Sequence, residues 1–175
     1  MNDLKKKNIS VVIPVYNEKD NIAECVLRVG SVLNDYGSEF EIICVDDGSS
    51  DGTAEILSEL SKSDKKLKFV QFRKNYGQTA AMAAGFDFAN GDIVVTLDAD
   101  LQNMPEDIPK LLDSIGEKYD IACGWRKNRQ DKLFTRKIPS WFANKLISFV
   151  TGVKLHDYGC TIRAYKKSLL KEVNL

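Results

Sequence analysis

Short β-branched and apolar runs, alternating with segments of helical spacing, constrain this chain most. Ile9 to Val15 (ISVVIPV) is such a run, as are Glu41 to Val45 (EIICV), Leu67 to Phe72, Ile93 to Leu97 (IVVTL) and Ile121 to Cys123. Apolar runs of this kind suit strands buried on both faces of a parallel sheet. Between them, Glu18 to Tyr36 places Ile22, Cys25, Val26, Val29, Val32 and Leu33 at helical spacing. Ser49, Ser50 or Asp51 is placed to cap a helix carrying Ile56, Leu57 and Leu60. Gln78 to Ala89 reads as an alanine-rich helix, and Pro105 stands where a helix through Ile108, Leu111, Leu112 and Ile115 begins. Strands alternating with helices mean βαβ units, hence an α/β domain with a mostly parallel sheet. At 175 residues, with no repeat or linker, the expectation is a single domain over 1–175.

In such sheets ligands sit beyond the carboxyl ends of the strands. Tyr16-Asn17-Glu18 follows the first strand, Asp46-Asp47-Gly48 the second and Asp98-Ala99-Asp100 the fourth. Taken alone, Asp47-Gly48 is an ordinary turn pair. Asp98 and Asp100 differ: two carboxylates one residue apart at a strand end can both reach a hard cation that also binds substrate phosphates. Gln102 can add a neutral oxygen. PVYNE stands where a dinucleotide-binding glycine fingerprint would be, and no GxxxxGK[ST] loop occurs, so the dehydrogenase and P-loop readings fail at their defining positions. The one histidine, His156, excludes a histidine metal cluster and argues against a Ser-His-Asp hydrolase.

Zero net charge hides a polarity. Residues 1–120 carry 13 Lys and Arg against 22 Asp and Glu, and residues 121–175 carry 12 against 3. The basic end is therefore a candidate to face something anionic. The longest stretch without a charged residue, Asn75 to Phe86, is 12 residues, short of the ~18 that read as a membrane span. Met1 to Lys7 has no apolar core of a secretory signal, and the scattered Cys25, Cys44, Cys123 and Cys160 read as reduced thiols of a cytoplasmic protein.

The series VVIPVYNE (11–18), VDDGSSDGT (45–53), RKNYGQ (73–78) and LDADLQNMPEDIP (97–109) resembles the inverting family 2 glycosyltransferases of the GT-A fold. GWRKNRQD (124–131) and DYGCTIRAY (157–165) narrow the resemblance to enzymes that glycosylate polyprenyl phosphates, most closely the undecaprenyl-phosphate formamido-arabinose transferases. The motifs run in order from about Ile9 to the end of the chain. The resemblance implies a GT-A, Rossmann-like sandwich with a mostly parallel central sheet. It also implies an inverting transfer from a nucleotide-sugar, with UDP favoured, to a lipid-linked phosphate in cell-envelope glycan or lipid A modification.

Carried over residue by residue, Pro14, Tyr16 and Glu18 match the loop that cradles base and ribose, and Val45 and Asp47 the strand end that contacts the base. Asp98, Ala99 and Asp100 match the metal and diphosphate motif, with Gln102 as a further ligand of Mg²⁺ or Mn²⁺. Arg126 matches a basic residue near the donor diphosphate or acceptor phosphate, Asp157 an acidic residue near the acceptor, and Arg163 a residue that helps hold phosphate. Residues 132–151, with Ile138, Trp141, Phe142, Lys145 and Phe149 on one helical face behind Lys127, Arg129, Lys132, Arg136 and Lys137, read as an interfacial amphipathic helix or as a face packed on the sheet. The acceptor class favours the former, and with it a peripheral site on the inner face of the plasma membrane. Relatives of this group continue beyond the point where this chain stops at Leu175, so a C-terminally truncated domain is expected. A sugar-acceptor glycosyltransferase, a non-catalytic nucleotide-sugar-binding module and a nucleotidyltransferase remain alternatives. A nucleic-acid partner is not expected, because the basic segment's aromatics form an apolar face, not stacking platforms. The sequence leaves the sugar and the oligomeric state open.

Overall fold

The computed structural model describes residues 7–116, 119–125 and 160–170. The chain divides into two compact units, Met1–Cys123 with Thr161–Leu175, and Gly124–Cys160. Of the second unit only residues 124, 125 and 160 are among those described.

The first unit is built on strands β1 (Ile9–Val15), β2 (Phe40–Asp46), β3 (Leu67–Gln71), β4 (Ile93–Thr96), β5 (Ile121–Cys123) and β6 (Arg163–Lys166). They form one sheet in the order β3-β2-β1-β4-β6-β5. β1 pairs in parallel with β2 and β4, and β2 with β3, whereas β6 runs antiparallel to both β4 and β5. Ile9, Val11, Val12, Ile13 and Val15 are all buried. That burial is why β1 reads as an uninterrupted apolar run: as a central strand it is covered on both faces.

Helix α1 (Ile22–Tyr36) buries Ile22, Cys25, Val26, Val29 and Leu33 of the stripe its spacing predicts, while Val32 is only part-buried. It starts at Ile22 and not at Glu18, because residues 16–20 are held as a loop against the turn after β2. Helix α2 (Thr53–Ser63) follows Gly52, and Asp51 caps it from one residue upstream, its Oδ1 accepting the Thr53 N–H at 3.0 Å and the Thr53 hydroxyl at 2.6 Å. Helix α3 (Gln78–Phe88) crosses β1 and β2, and its small residues allow a close approach. A Cβ added at Gly85 would fall on Val12 Cγ1. Pro105 opens a single 3₁₀ turn, Pro105–Asp107, that leads into α4 (Ile108–Ser114).

The one strand not anticipated is β6. Ile162 and Ala164 are buried while Arg163 and Tyr165 are half-exposed, a period-two alternation. Four residues of such alternation beside two cations carry too little signal to be read as a strand. The insertion of β6 separates β4 from β5, which a simple βαβ reading would have made neighbours.

Candidate functional site

Register brings three loops to one edge. Val15 pairs with Asp46, and Val12 with Thr96, so Asp47 leaves the sheet level with Tyr16, and Asp98 level with Pro14. The Asp47 N–H donates to Val15 O at 2.8 Å and the Leu97 N–H to Val12 O at 3.1 Å, extending both ladders to the rim. Beyond this edge lies a cleft of about 440 Å³, within the usual size of a small-molecule site.

One wall is the β1 loop, laced to the β2 turn. The Asn17 N–H donates to Ser49 Oγ (2.8 Å), the Ser50 N–H to Asn17 Oδ1 (2.9 Å), the Glu18 N–H to Thr53 Oγ1 (2.9 Å) and the Lys19 N–H to Asp51 Oδ2 (3.2 Å). Asn17 adopts φ 54°, a left-handed conformation that its short amide tolerates. This lacing holds the Tyr16 ring, half-exposed, and the Glu18 carboxylate on the cleft.

Asp47 has a different job from a simple lining residue. It is almost wholly buried, and its Oδ1 and Oδ2 accept the N–H groups of Tyr76 (2.7 Å) and Gly77 (2.8 Å). Gly48, at φ 72°, lies so close to the same loop that a Cβ would come within 2.5–2.8 Å of the Lys74 and Asn75 backbone. The Asp47-Gly48 turn thereby clamps residues 73–77 and sets Gln78 at the head of α3. Asp46 is buried behind it. Burial pushes its carboxyl above the ordinary value, against the Ser49 N–H at 3.3 Å from both oxygens, and the nearby Asp47 and Asp51 push it the same way.

Asp98 and Asp100 flank the inward-turned Ala99. Gln78 Nε2 donates to Asp98 Oδ1 at 2.9 Å, and the Thr161 hydroxyl to Asp98 Oδ2 at 2.6 Å. Asp100 Oδ1 accepts the Gln102 N–H at 3.0 Å, across a turn in which Leu101 takes φ 57°. A left-handed leucine costs about 1–2 kcal/mol, strain of the kind that gathers at functional sites. Beneath the cleft, burial pushes the Cys25 thiol up to about 12; Arg28 opposes this, while Asp100, Glu18 and Asp98 add to it, so the thiol stays protonated at neutral pH.

Four carboxylates on one cleft, those of Glu18, Asp47, Asp98 and Asp100, would repel an anionic ligand. Each carboxylate oxygen has two lone pairs, and Asp100 Oδ2 accepts no hydrogen bond from the described residues. Among the described residues no three His, Cys, Asp or Glu side chains form a preformed cage. A pair of carboxylates completed by ligand phosphates is what Mg²⁺ or Mn²⁺ uses, so the residues present fit a divalent cation shared with a diphosphate.

Of the residues singled out by sequence, the structure brings Pro14, Tyr16, Glu18, Asp47, Asp98, Ala99 and Asp100 onto this cleft. Val45 is buried in the core between the sheet and α3, behind the cleft wall. The Gln102 side chain is exposed outside the lining, and Arg163 lies in β6, paired with Thr96 and Cys123 at the same sheet edge. Arg126, Asp157 and the stretch 132–151 lie outside the described residues. Gln78 and Thr161 were missed as individual residues. Both sit inside quoted motifs, RKNYGQ and DYGCTIRAY, but their bonds to Asp98 span 20 and 63 positions, which no local spacing reveals.

Compared with known families, the chain matches glycosyl transferase family 2 over residues 10–173. The chain belongs to that family. This family 2 chain is 46% identical over 169 residues to a dodecaprenyl-phosphate galacturonate synthase of Rhizobium johnstonii, covering 95% of itself and 50% of that protein. It is 44% identical over 165 residues to an undecaprenyl-phosphate 4-deoxy-4-formamido-L-arabinose transferase of Klebsiella pneumoniae, covering 94% and 50%. It thus spans about half the length of the curated relatives it matches. Among solved structures it resembles Mycobacterium tuberculosis glucosyl-3-phosphoglycerate synthase in complex with Mn²⁺, UDP and phosphoglyceric acid, with TM-score 0.71, 24% identity and coverage of 93% of this chain and 57% of that one. A mannosyltransferase of Pyrobaculum calidifontis in complex with GDP-Man and Mn²⁺ gives TM-score 0.66 at 21% identity, covering 95% and 46%. These likenesses show the GT-A fold.

Proposed function

We propose that this chain is the donor-binding catalytic domain of an inverting, metal-dependent glycosyltransferase that moves a sugar from a UDP-sugar to a polyprenyl phosphate. The observation that carries this reading is the cleft itself. It gathers Asp98 and Asp100 on one lining with Tyr16, Glu18 and Asp47, in a chain whose relatives at 46% and 44% identity are named for reactions on polyprenyl phosphates.

Tyr16 offers a half-exposed ring face to the base, and Glu18 an acceptor for ribose hydroxyls. Asp98 and Asp100, with Gln102 as the further ligand that the family resemblance implies, would hold a divalent cation shared with the donor diphosphate. When bound, that ion offsets the charge developing on the leaving diphosphate. The acceptor is a phosphate monoester with a second pKa of about 6, so its oxygen is largely anionic at neutral pH. That oxygen attacks the anomeric carbon, the bond from this carbon to the diphosphate oxygen breaks on the opposite face, and the electron pair leaves with UDP. Such a nucleophile needs little deprotonation, so Asp157 orients the acceptor, while Arg126 and Arg163 hold its phosphate. The basic composition of residues 121–175 and the amphipathic pattern of 132–151 in the sequence support a peripheral site at the inner face of the plasma membrane.

Calorimetric titration with UDP and GDP, each with and without Mn²⁺, tests the donor half of this reading. Mn²⁺ is expected to tighten UDP binding, and that gain is expected to disappear in Asp100→Ala; absence of binding to either nucleotide would overturn the reading. On the acceptor side, Asp157→Asn is expected to slow turnover far less than Asp100→Asn, and equal losses would remove the argument that the acceptor needs no base.

A further inference from the structure

We propose that Thr161 is the positioning residue of the Asp98 carboxylate, and that Asn103 fixes the direction in which the Thr161 hydroxyl donates. The proposal rests on the donor-site reading above and deepens it, since it names what aims one of the two metal-binding carboxylates.

The contact follows from β6 running backwards. Thr96 pairs with Arg163 in an antiparallel register, so two residues further out the same register brings Asp98 opposite Thr161. A parallel strand here would have put Thr161 at the far end of the sheet. The Thr161 backbone is held from below: the hydroxyl of Thr96, itself buried, donates to Thr161 O at 2.7 Å. From the side, Asn103 Nδ2 donates to Thr161 Oγ1 at 3.0 Å, and Asn103 is buried. The threonine is therefore fixed at both its carbonyl and its hydroxyl.

Proton counting sets the direction of these three side-chain bonds. A hydroxyl has one proton, and an ionised carboxylate accepts only. At 2.6 Å the Thr161 proton must lie toward Asp98 Oδ2. Asn103 must then present its amide N–H, because its oxygen would compete for the same proton. Gln78 likewise must present its N–H to Asp98 Oδ1. The carboxylate plane is so pinned from two separate elements, α3 and the approach to β6. Partners of this kind set the orientation of a metal-binding group, and their loss typically costs about 10–100-fold in metal affinity.

The test measures Mn²⁺ binding by the loss of the free-ion electron paramagnetic resonance signal, in the whole chain with UDP present, and UDP binding by calorimetry with no metal. Thr161→Val keeps the shape and removes the donor. It is expected to weaken Mn²⁺ binding about tenfold or more while metal-free UDP binding stays at the wild-type value; Thr161→Ser is expected to restore Mn²⁺ affinity to within about threefold. Asn103→Leu, away from the cleft, is expected to weaken Mn²⁺ binding in the same direction by a smaller factor, and it stands in should Thr161→Val not fold. Wild-type Mn²⁺ affinity in Thr161→Val, or in Asn103→Leu when that variant stands in, overturns the proposal and leaves the donor-site reading intact. Parallel loss of metal-free UDP binding in Thr161→Val overturns it too, by showing a merely structural role. A wild-type chain that binds neither Mn²⁺ nor UDP overturns the donor-site reading, and this proposal with it.

Discussion

Glu41 and Ser10 close the end of the sheet opposite the cleft, and there a single ionised group ties together two strands and a loop. Glu41 Oε1 accepts the Ser10 hydroxyl and the Asn90 N–H, both at 2.6 Å, and Ser10 Oγ accepts the Gly91 N–H at 2.7 Å. Burial alone would raise the Glu41 carboxyl, but the Lys68 ammonium, Ser10 and the Asn90 N–H together hold it below its ordinary value. A lowered carboxyl contributes stability above its unfolded pKa of about 4.3, and that contribution is lost as pH falls through the folded value. Glu41→Gln is therefore expected to lower stability by on the order of 1 kcal/mol at neutral pH, with the gap to wild type closing below about pH 4. Urea denaturation at several pH values checks it, and a gap that widened toward acid would contradict the assignment. At the cleft, Leu101 holds a left-handed conformation. Leu101→Gly is expected to raise the melting temperature or leave it level, because the strain of about 1–2 kcal/mol is relieved against a comparable loss of unfolded-state restriction.

Two glycines set how closely elements approach, with opposite consequences. Gly85 lets α3 lie on β1, and its replacement by Ala gains about 0.5–1 kcal/mol of helix propensity but forces a methyl onto Val12. Overpacking costs about 1–3 kcal/mol, so the expected outcome is a lower melting temperature with donor binding retained. Gly48 works at the site. Gly48→Ala strains φ 72° and pushes the Lys74 and Asn75 backbone away, which loosens the loop whose N–H groups Asp47 grips and whose end carries Gln78. Nucleotide binding is expected to fall roughly tenfold, with a smaller effect on folding; calorimetry beside a melting curve separates the two. An unchanged affinity would show that the clamp does not reach the donor site.

Across the whole molecule the charge is divided, and the acidic part holds the cleft while residues 121–175 carry 12 Lys and Arg against 3 Asp and Glu. No helix among the described residues is long and apolar enough to cross a membrane. If the basic part docks on an anionic leaflet, sedimentation with phosphatidylglycerol vesicles should fall steeply between about 0.05 M and about 0.5 M salt, as screening shortens the reach of surface charge. Equal binding to neutral vesicles at every salt concentration would contradict docking by charge.

Sequence alone determined the elements whose burial is local and periodic. β1 reads from its unbroken apolar run, α1 from its stripe, and the cleft edge from three carboxylate-bearing segments that all follow strands, because parallel βαβ units bring successive strand ends to one side. Sequence also marked Asp98 and Asp100, whose pairing is written in positions separated by Ala99 alone. Only the tertiary structure decided that β6 enters between β4 and β5 in the reverse direction, since four alternating residues leave pairing to long-range register. It alone placed Val45 in the core, turned Asp47 toward the Tyr76 and Gly77 backbone, and set Thr161 on Asp98. Each of those outcomes depends on which distant donor lies within hydrogen-bond reach of a carboxylate, and that is a property of the folded sheet edge.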